Sequence, residues 1–101
     1  MSHDEMNVAR AVDGAMRLRA AMRNPDSFKL GMVRVMDDDS ICYGYRAQNG
    51  FGGMDVGNAV LTAKGQFESN EMDGFTSLWH RECVGKTGRD RTSDVISFVG
   101  Q

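Results

Sequence analysis

Four groups of residues have types and spacings that could do chemistry. His80 and Cys83 lie three apart, so on a helix they would share one face within a single turn. That spacing suits a metal ligand pair or a Cys–His nucleophile. A zinc site needs three or four ligands, and His3 and Cys42 could join this pair only through a coincidence of folding. A nucleophilic cysteine needs an oxyanion hole and an orienting acid, and nothing in the sequence supplies either. Gly85-Lys86-Thr87 copies the end of a phosphate-binding loop, but the position five residues before Gly85 is His80, where that pattern requires glycine. Asp37-Asp38-Asp39-Ser40 gathers carboxylates, yet a calcium loop of the EF-hand type needs acids at alternate positions, a glycine and a distal Glu. The plainer readings are a core or disulfide cysteine beside an exposed histidine, and a solvated acidic turn. No catalytic residue, metal ligand or cofactor is assigned.

The fourth group is Asn49-Gly50-Phe51-Gly52-Gly53. Consecutive glycine amides can form an anion nest, and Phe51 could anchor a partner. The loop itself contains no Lys or Arg to hold an anion. The plainer expectation is that Gly50, Gly52 and Gly53 let the chain turn while Phe51 folds back over a sheet.

The elements that must position these groups are legible as periodicities. Ile41, Tyr43 and Tyr45 alternate with Cys42, Gly44 and Arg46, as in a half-buried strand. A second strand runs from Met54 to Thr62, with a phase slip near Gly57-Asn58 that predicts a bulge. Asn49-Gly50 between them is a hairpin signal. Upstream, Ser2 and Glu5 fit a capping box that opens a helix reaching Arg23. Its expected apolar stripe is Val8, Val12, Ala15, Leu18 and Met22, with Asp13 paired to Arg17. Gly14 should weaken it by about 1 kcal/mol relative to Ala. Arg10, Arg17, Arg19 and Arg23 read as its solvated face rather than a phosphate patch.

Pro25 ends that helix, and Asn24-Pro25-Asp26-Ser27 is a turn. Phe28–Met36 reads as a strand, Lys64-Gly65 as a turn and Gln66–Glu68 as a short strand. Phe75, Leu78, Trp79 and Cys83 share one face of a second helix, with Gly85 as its C-terminal cap. Residues 86–94 read as a mobile polar segment. Val95–Val99 reads as a final short edge strand, with Ile96 and Phe98 on one side.

At 101 residues the chain is one domain, 1–101, and 41% hydrophobic with 26% charged residues is too apolar for disorder. A formal charge of -2 argues against direct nucleic-acid binding. No apolar run approaches the roughly 20 residues that span a membrane. The N-terminus has neither the basic nor the apolar region of a signal peptide. The chain as given is therefore expected in the cytoplasm, or exported or periplasmic if a signal was removed. Two cysteines allow one disulfide, and in a reducing compartment both would stay thiols.

Several of these pieces together resemble a small uncharacterised bacterial family, often exported. They are Asn24-Pro25-Asp26-Ser27-Phe28-Lys29-Leu30, Val33-Arg34-Val35, Ile41-Cys42-Tyr43-Gly44 and Ala47-Gln48-Asn49-Gly50-Phe51-Gly52-Gly53, with Trp79 and Cys83 further on. The resemblance covers roughly residues 16–85. It implies a helix on an antiparallel sheet and a Cys42–Cys83 link, and it implies no activity. The chain departs from that family in lacking an export signal and in continuing past Gly85.

The expected fold is α+β. A long N-terminal helix packs on a three- to four-stranded antiparallel meander, with a short second helix near the C-terminus. The favoured function is a non-enzymatic protein-binding or inhibitory module. Its contact surface would be Phe51 with Gly50, Gly52 and Gly53, and the strand carrying Ile96 and Phe98, which could also pair two copies. Two alternatives stand beside it: a phage or mobile-element inhibitor of a host nucleic-acid-binding enzyme, and a small enzyme using Cys83 and His80.

Overall fold

A computed structural model describes residues 1–70 and 72–100. The chain runs α1 (His3–Ala20), a 3-10 turn (Pro25–Ser27), β1 (Lys29–Met36), β2 (Ile41–Gln48), β3 (Met54–Leu61), β4 (Phe67–Ser69), α2 (Phe75–Glu82), β5 (Gly88–Asp90) and α3 (Thr92–Val99). The five strands form one sheet in the order β4-β3-β2-β1-β5, and every neighbouring pair is antiparallel. The fold is thus α+β as expected; the described residues form a sheet one strand larger than the expected three- to four-stranded meander, and one helix more than the two expected.

Helices cover the sheet on both faces. On one side, Ala11, Ala15 and Leu18 of α1 and Val95 of α3 pack with Leu30, Val33, Val35, Ile41, Tyr43, Tyr45, Ala59 and Leu61. On the other, Phe75 and Leu78 of α2 pack with Met36, Cys42 and Val60, and Trp79 and Cys83 are partly buried against them. This double cover explains the apparent phase slip in β3. Ala59, Val60 and Leu61 are all buried because each face there has its own helix. The register of β2 with β3 runs unbroken from Ile41↔Leu61 to Gln48↔Met54, so no bulge lies at Gly57-Asn58. The irregularity is in β1, between Leu30 and Met32.

The capping box at Ser2 and Glu5 is present. The buried stripe of α1 is Asn7, Ala11, Gly14, Ala15 and Leu18, with Val8, Val12 and Met22 at its margin. The stripe is rotated because Gly14 admits the Tyr43 ring, whose hydroxyl donates 2.8 Å to the Ala11 carbonyl. Burial pushes the Tyr43 phenol above its ordinary pKa. Arg17 lies 5.1 Å over the Phe67 ring, and α1 ends at Ala20, short of Arg23.

The C-terminal expectations need two corrections. Residues 86–94 are not a loose segment: Gly88–Asp90 pairs with Arg34–Met36, and Lys86 Nζ meets Asp38 Oδ2 at 2.8 Å. Val95–Val99 is helix, not strand. Val95 and Val99 stand one helical turn apart, Ile96 joins them against the core, and Asp90 receives both the amide and the hydroxyl of Thr92 just before the helix. A short apolar run does not by itself separate strand from helix. Consequently Ile96 faces the core, Phe98 is exposed on a helix, and the pairing of two copies through a Val95–Val99 edge has no strand to support it.

A polar network fastens α1 to the strand turns. Asp39, at φ 71°, accepts from Asn7 Nδ2 at 3.0 Å and lies 2.7 Å from His3 Nε2. Arg10 donates to Asn7 Oδ1 and to the carbonyls of Asp39 and Thr62, each at 2.9 Å. The His3 contact, then Asn7, holds the Asp39 carboxyl below its ordinary pKa; the Lys86 bond does the same for Asp38, and the Thr92 side chain for Asp90. A depressed folded-state pKa contributes stability above the unfolded value and loses it as pH falls through the folded one. Thermal stability is therefore expected to fall as the pH drops through and below the ordinary aspartate value of about 4. Asp39→Asn, which tolerates positive φ, should flatten that profile in melts monitored by circular dichroism. An unchanged slope would show that Asp39 contributes no acid-linked stability.

Candidate binding site

The β2–β3 hairpin is held at its base, and at its tip the Arg23 side chain lies beside Gly50 while Phe51 stands clear of the protein. Asn24 Nδ2 donates to Gln48 Oε1 at 2.7 Å, and the Gln48 amide donates to Ser27 Oγ at 2.8 Å. These bonds tie the hairpin to the turn that follows α1. At the tip, Asn49 organises the loop. Its Oδ1 accepts from the amides of Phe51 at 2.9 Å and Gly53 at 3.1 Å, and its Nδ2 donates to Asp55 Oδ1 at 3.0 Å. The amides of Phe51 and Gly53 that an anion would use are therefore satisfied within the loop. Gly52 sits at φ 87°, a conformation glycine adopts without strain.

Phe51 does not fold back over the sheet. It is 101% exposed, and the turn directs it into solvent. Beyond it, Met54 and Val56 are 51% and 79% exposed on the face that α2 covers only at its far end. Met54 and Val56 pair with Gln48 and Arg46, so this part of the face continues across Arg46 towards the β1 bulge. An open depression of about 440 Å³ there is lined by Lys29, Gly31, Gly44, Arg46 and Val56.

The outer edge of β3 is only half covered. Strand β4 pairs with Ala59–Leu61, and Asn70 extends that pairing by one residue, donating its amide to the Asn58 carbonyl and accepting the Asn58 amide through Oδ1. Backbone groups along a strand point to alternate edges. Since Asn58 points outward, Val56 and Met54 do too, and among the described residues no strand pairs there. On the α1 face, Gly57 is closed off: an added Cβ would come within 2.5 Å of Tyr45 Oη and 2.8 Å of Asn70 Oδ1.

The remaining sequence candidates are scattered. Cys83 is bonded to Cys42, with Cα atoms 6.1 Å apart, and holds no free thiol; His80 is exposed on α2. Among the described residues no three His, Cys, Asp or Glu are grouped as metal ligands, and no helix is long and apolar enough to cross a membrane. Phe98 lines a groove of about 640 Å³ between α1 and α3 with Met1, Val8 and Val12. The charges at its rim are partly internally paired: Arg91 reaches both Asp4 oxygens at 2.7 Å, and Asp94 at 3.3 Å. Met54, Asp55 and Val56 were not among the sequence candidates. Their alternation was visible, but the stopping point of β4 was not.

Fold and hairpin together define a small three-layer α+β domain, with helices on both faces of an antiparallel sheet. No protein-family model, curated protein or solved structure matches the chain.

Proposed function

We propose that the protein is a non-enzymatic binding module whose contact surface is the β2–β3 hairpin. One observation carries this reading: a fully exposed aromatic residue on an internally braced loop continues into two exposed apolar side chains on an unpaired strand edge. Water gains nothing from that arrangement, while a partner would cover an aromatic anchor and complete backbone hydrogen bonds. The bonding of Cys83 to Cys42 weighs against the Cys–His enzyme. The same bond is compatible with an oxidising compartment, in line with the resemblance to exported chains.

The test is affinity capture from extract of the source cells with the oxidised protein, alongside Phe51→Ala and Phe98→Ala. Phe51 packs against nothing, so its replacement should change stability by no more than about 0.5 kcal/mol. Loss of a specific partner with Phe51→Ala, and not with Phe98→Ala, is the expected result. Capture that survives Phe51→Ala and fails with Phe98→Ala would move the surface to the groove between α1 and α3.

A further inference from the structure

Beyond Asn58, where among the described residues no strand pairs, the edge of β3 offers three residues in a fixed pattern. Met54 and Val56 present their amides and carbonyls outward and their side chains to the α2 face. Asp55 lies between them with its carboxylate on the opposite face, where it accepts from Asn49 Nδ2 in a depression that Arg23 also lines. A strand added antiparallel would form hydrogen-bonded pairs at Met54 and Val56 and would place its middle residue directly opposite Asp55. It must stop at Asn58, because Asn70 already occupies that backbone.

A second copy of this chain does not fit. A two-fold axis that pairs Met54 with Val56 of the other copy sets Asp55 against Asp55, and like charges directly opposite are destabilising. Moving the axis to Val56 sets Met54 against the occupied backbone of Asn58, and moving it to Met54 sets Val56 against Gly52, whose φ of 87° is not that of a strand.

Building on the hairpin reading, we propose that this edge accepts one extended segment of a different protein, in the pattern apolar–basic–apolar, by strand addition. The apolar residues cover Met54 and Val56, and the basic residue meets the Asp55 carboxylate. Asp55 thereby selects the partner's charge and opposes self-pairing at the same edge.

The probes are the synthetic peptides Thr-Val-Lys-Val-Thr and Thr-Val-Glu-Val-Thr, titrated into the oxidised protein and followed by amide NMR with hydrogen exchange. The lysine peptide is expected to protect the Met54 and Val56 amides and to bind about fivefold tighter than the glutamate peptide. Asp55→Lys should reverse that preference. Val56→Pro should abolish binding and leave the β2–β3 ladder intact, because the amide it removes points outward. Equal binding of both peptides, a preference unchanged in Asp55→Lys, or binding without protection of those amides overturns the proposal. If strand addition fails in this way while Phe51→Ala still abolishes capture, the hairpin reading stands without it.

Discussion

Replacing Cys83 with serine is expected to lower the stability of the oxidised protein by about 4 kcal/mol. The bridge joins residues separated by 41 positions, so it removes a large share of the freedom of the unfolded chain. A domain of this size has a total stability of about 5–15 kcal/mol, so much of it would be lost. The effect should be concentrated at α2. That helix is held to the sheet by Phe75, Leu78, the half-buried Trp79 and a 2.7 Å bond from Ser40 Oγ to Glu82 Oε2. Urea unfolding with and without reductant measures this directly. Reductant should lower the midpoint of the native protein to that of Cys83→Ser and leave the variant unmoved. Two reactive thiols in unreduced, denatured protein would show that the bridge does not form, and the predicted difference would vanish.

The second large effect has the opposite sign to what helix propensity predicts. Gly14→Ala should favour helix by about 1 kcal/mol. In the folded protein the added Cβ would collide with Tyr43 Oη and lie 3.1 Å from the Phe67 ring. Overpacking a core costs about 1–3 kcal/mol. Displacing a buried hydroxyl from its acceptor, here the Ala11 carbonyl, costs about 1–3 kcal/mol more. The net expectation is a loss of about 3 kcal/mol in urea unfolding. Tyr43→Phe in the same chain should recover much of it by removing the colliding oxygen. A neutral or stabilising Gly14→Ala would mean that α1 can move away from β2 at little expense.

Gly14 also shows where reading the chain in one dimension stops. Along the sequence it is a weak point in a helix. Across the interface between α1 and β2 it is the position that lets Tyr43 reach a helix carbonyl. The same division runs through the rest of the molecule. The capping box, both strands of the hairpin and the helix carrying Trp79 depend on local rules, and neighbouring residues suffice to locate them. Val95–Val99 failed because a run of four or five apolar residues suits either period, and only packing against α1 and β1 makes it a helix. Residues 88–90 gave no strand signal, since Gly-Arg-Asp has little β preference; pairing with Arg34–Met36 orders them.

The hairpin divides in the same way. Its strands, its glycine turn and the candidacy of Phe51 lay in the residue order, because turn chemistry and alternation are local. Three things were decided by tertiary structure alone. Phe51 points into solvent because Asn49 braces the loop from within. The apolar triplet at β3 is buried twice because α1 and α2 meet it from opposite faces. Among the described residues no strand pairs with Met54–Gly57, because β4 meets only Ala59–Leu61 and Asn70 adds only Asn58. How far a neighbouring strand extends is set by contacts between distant parts of the chain, and the residues it leaves uncovered carry no mark of that in their own sequence.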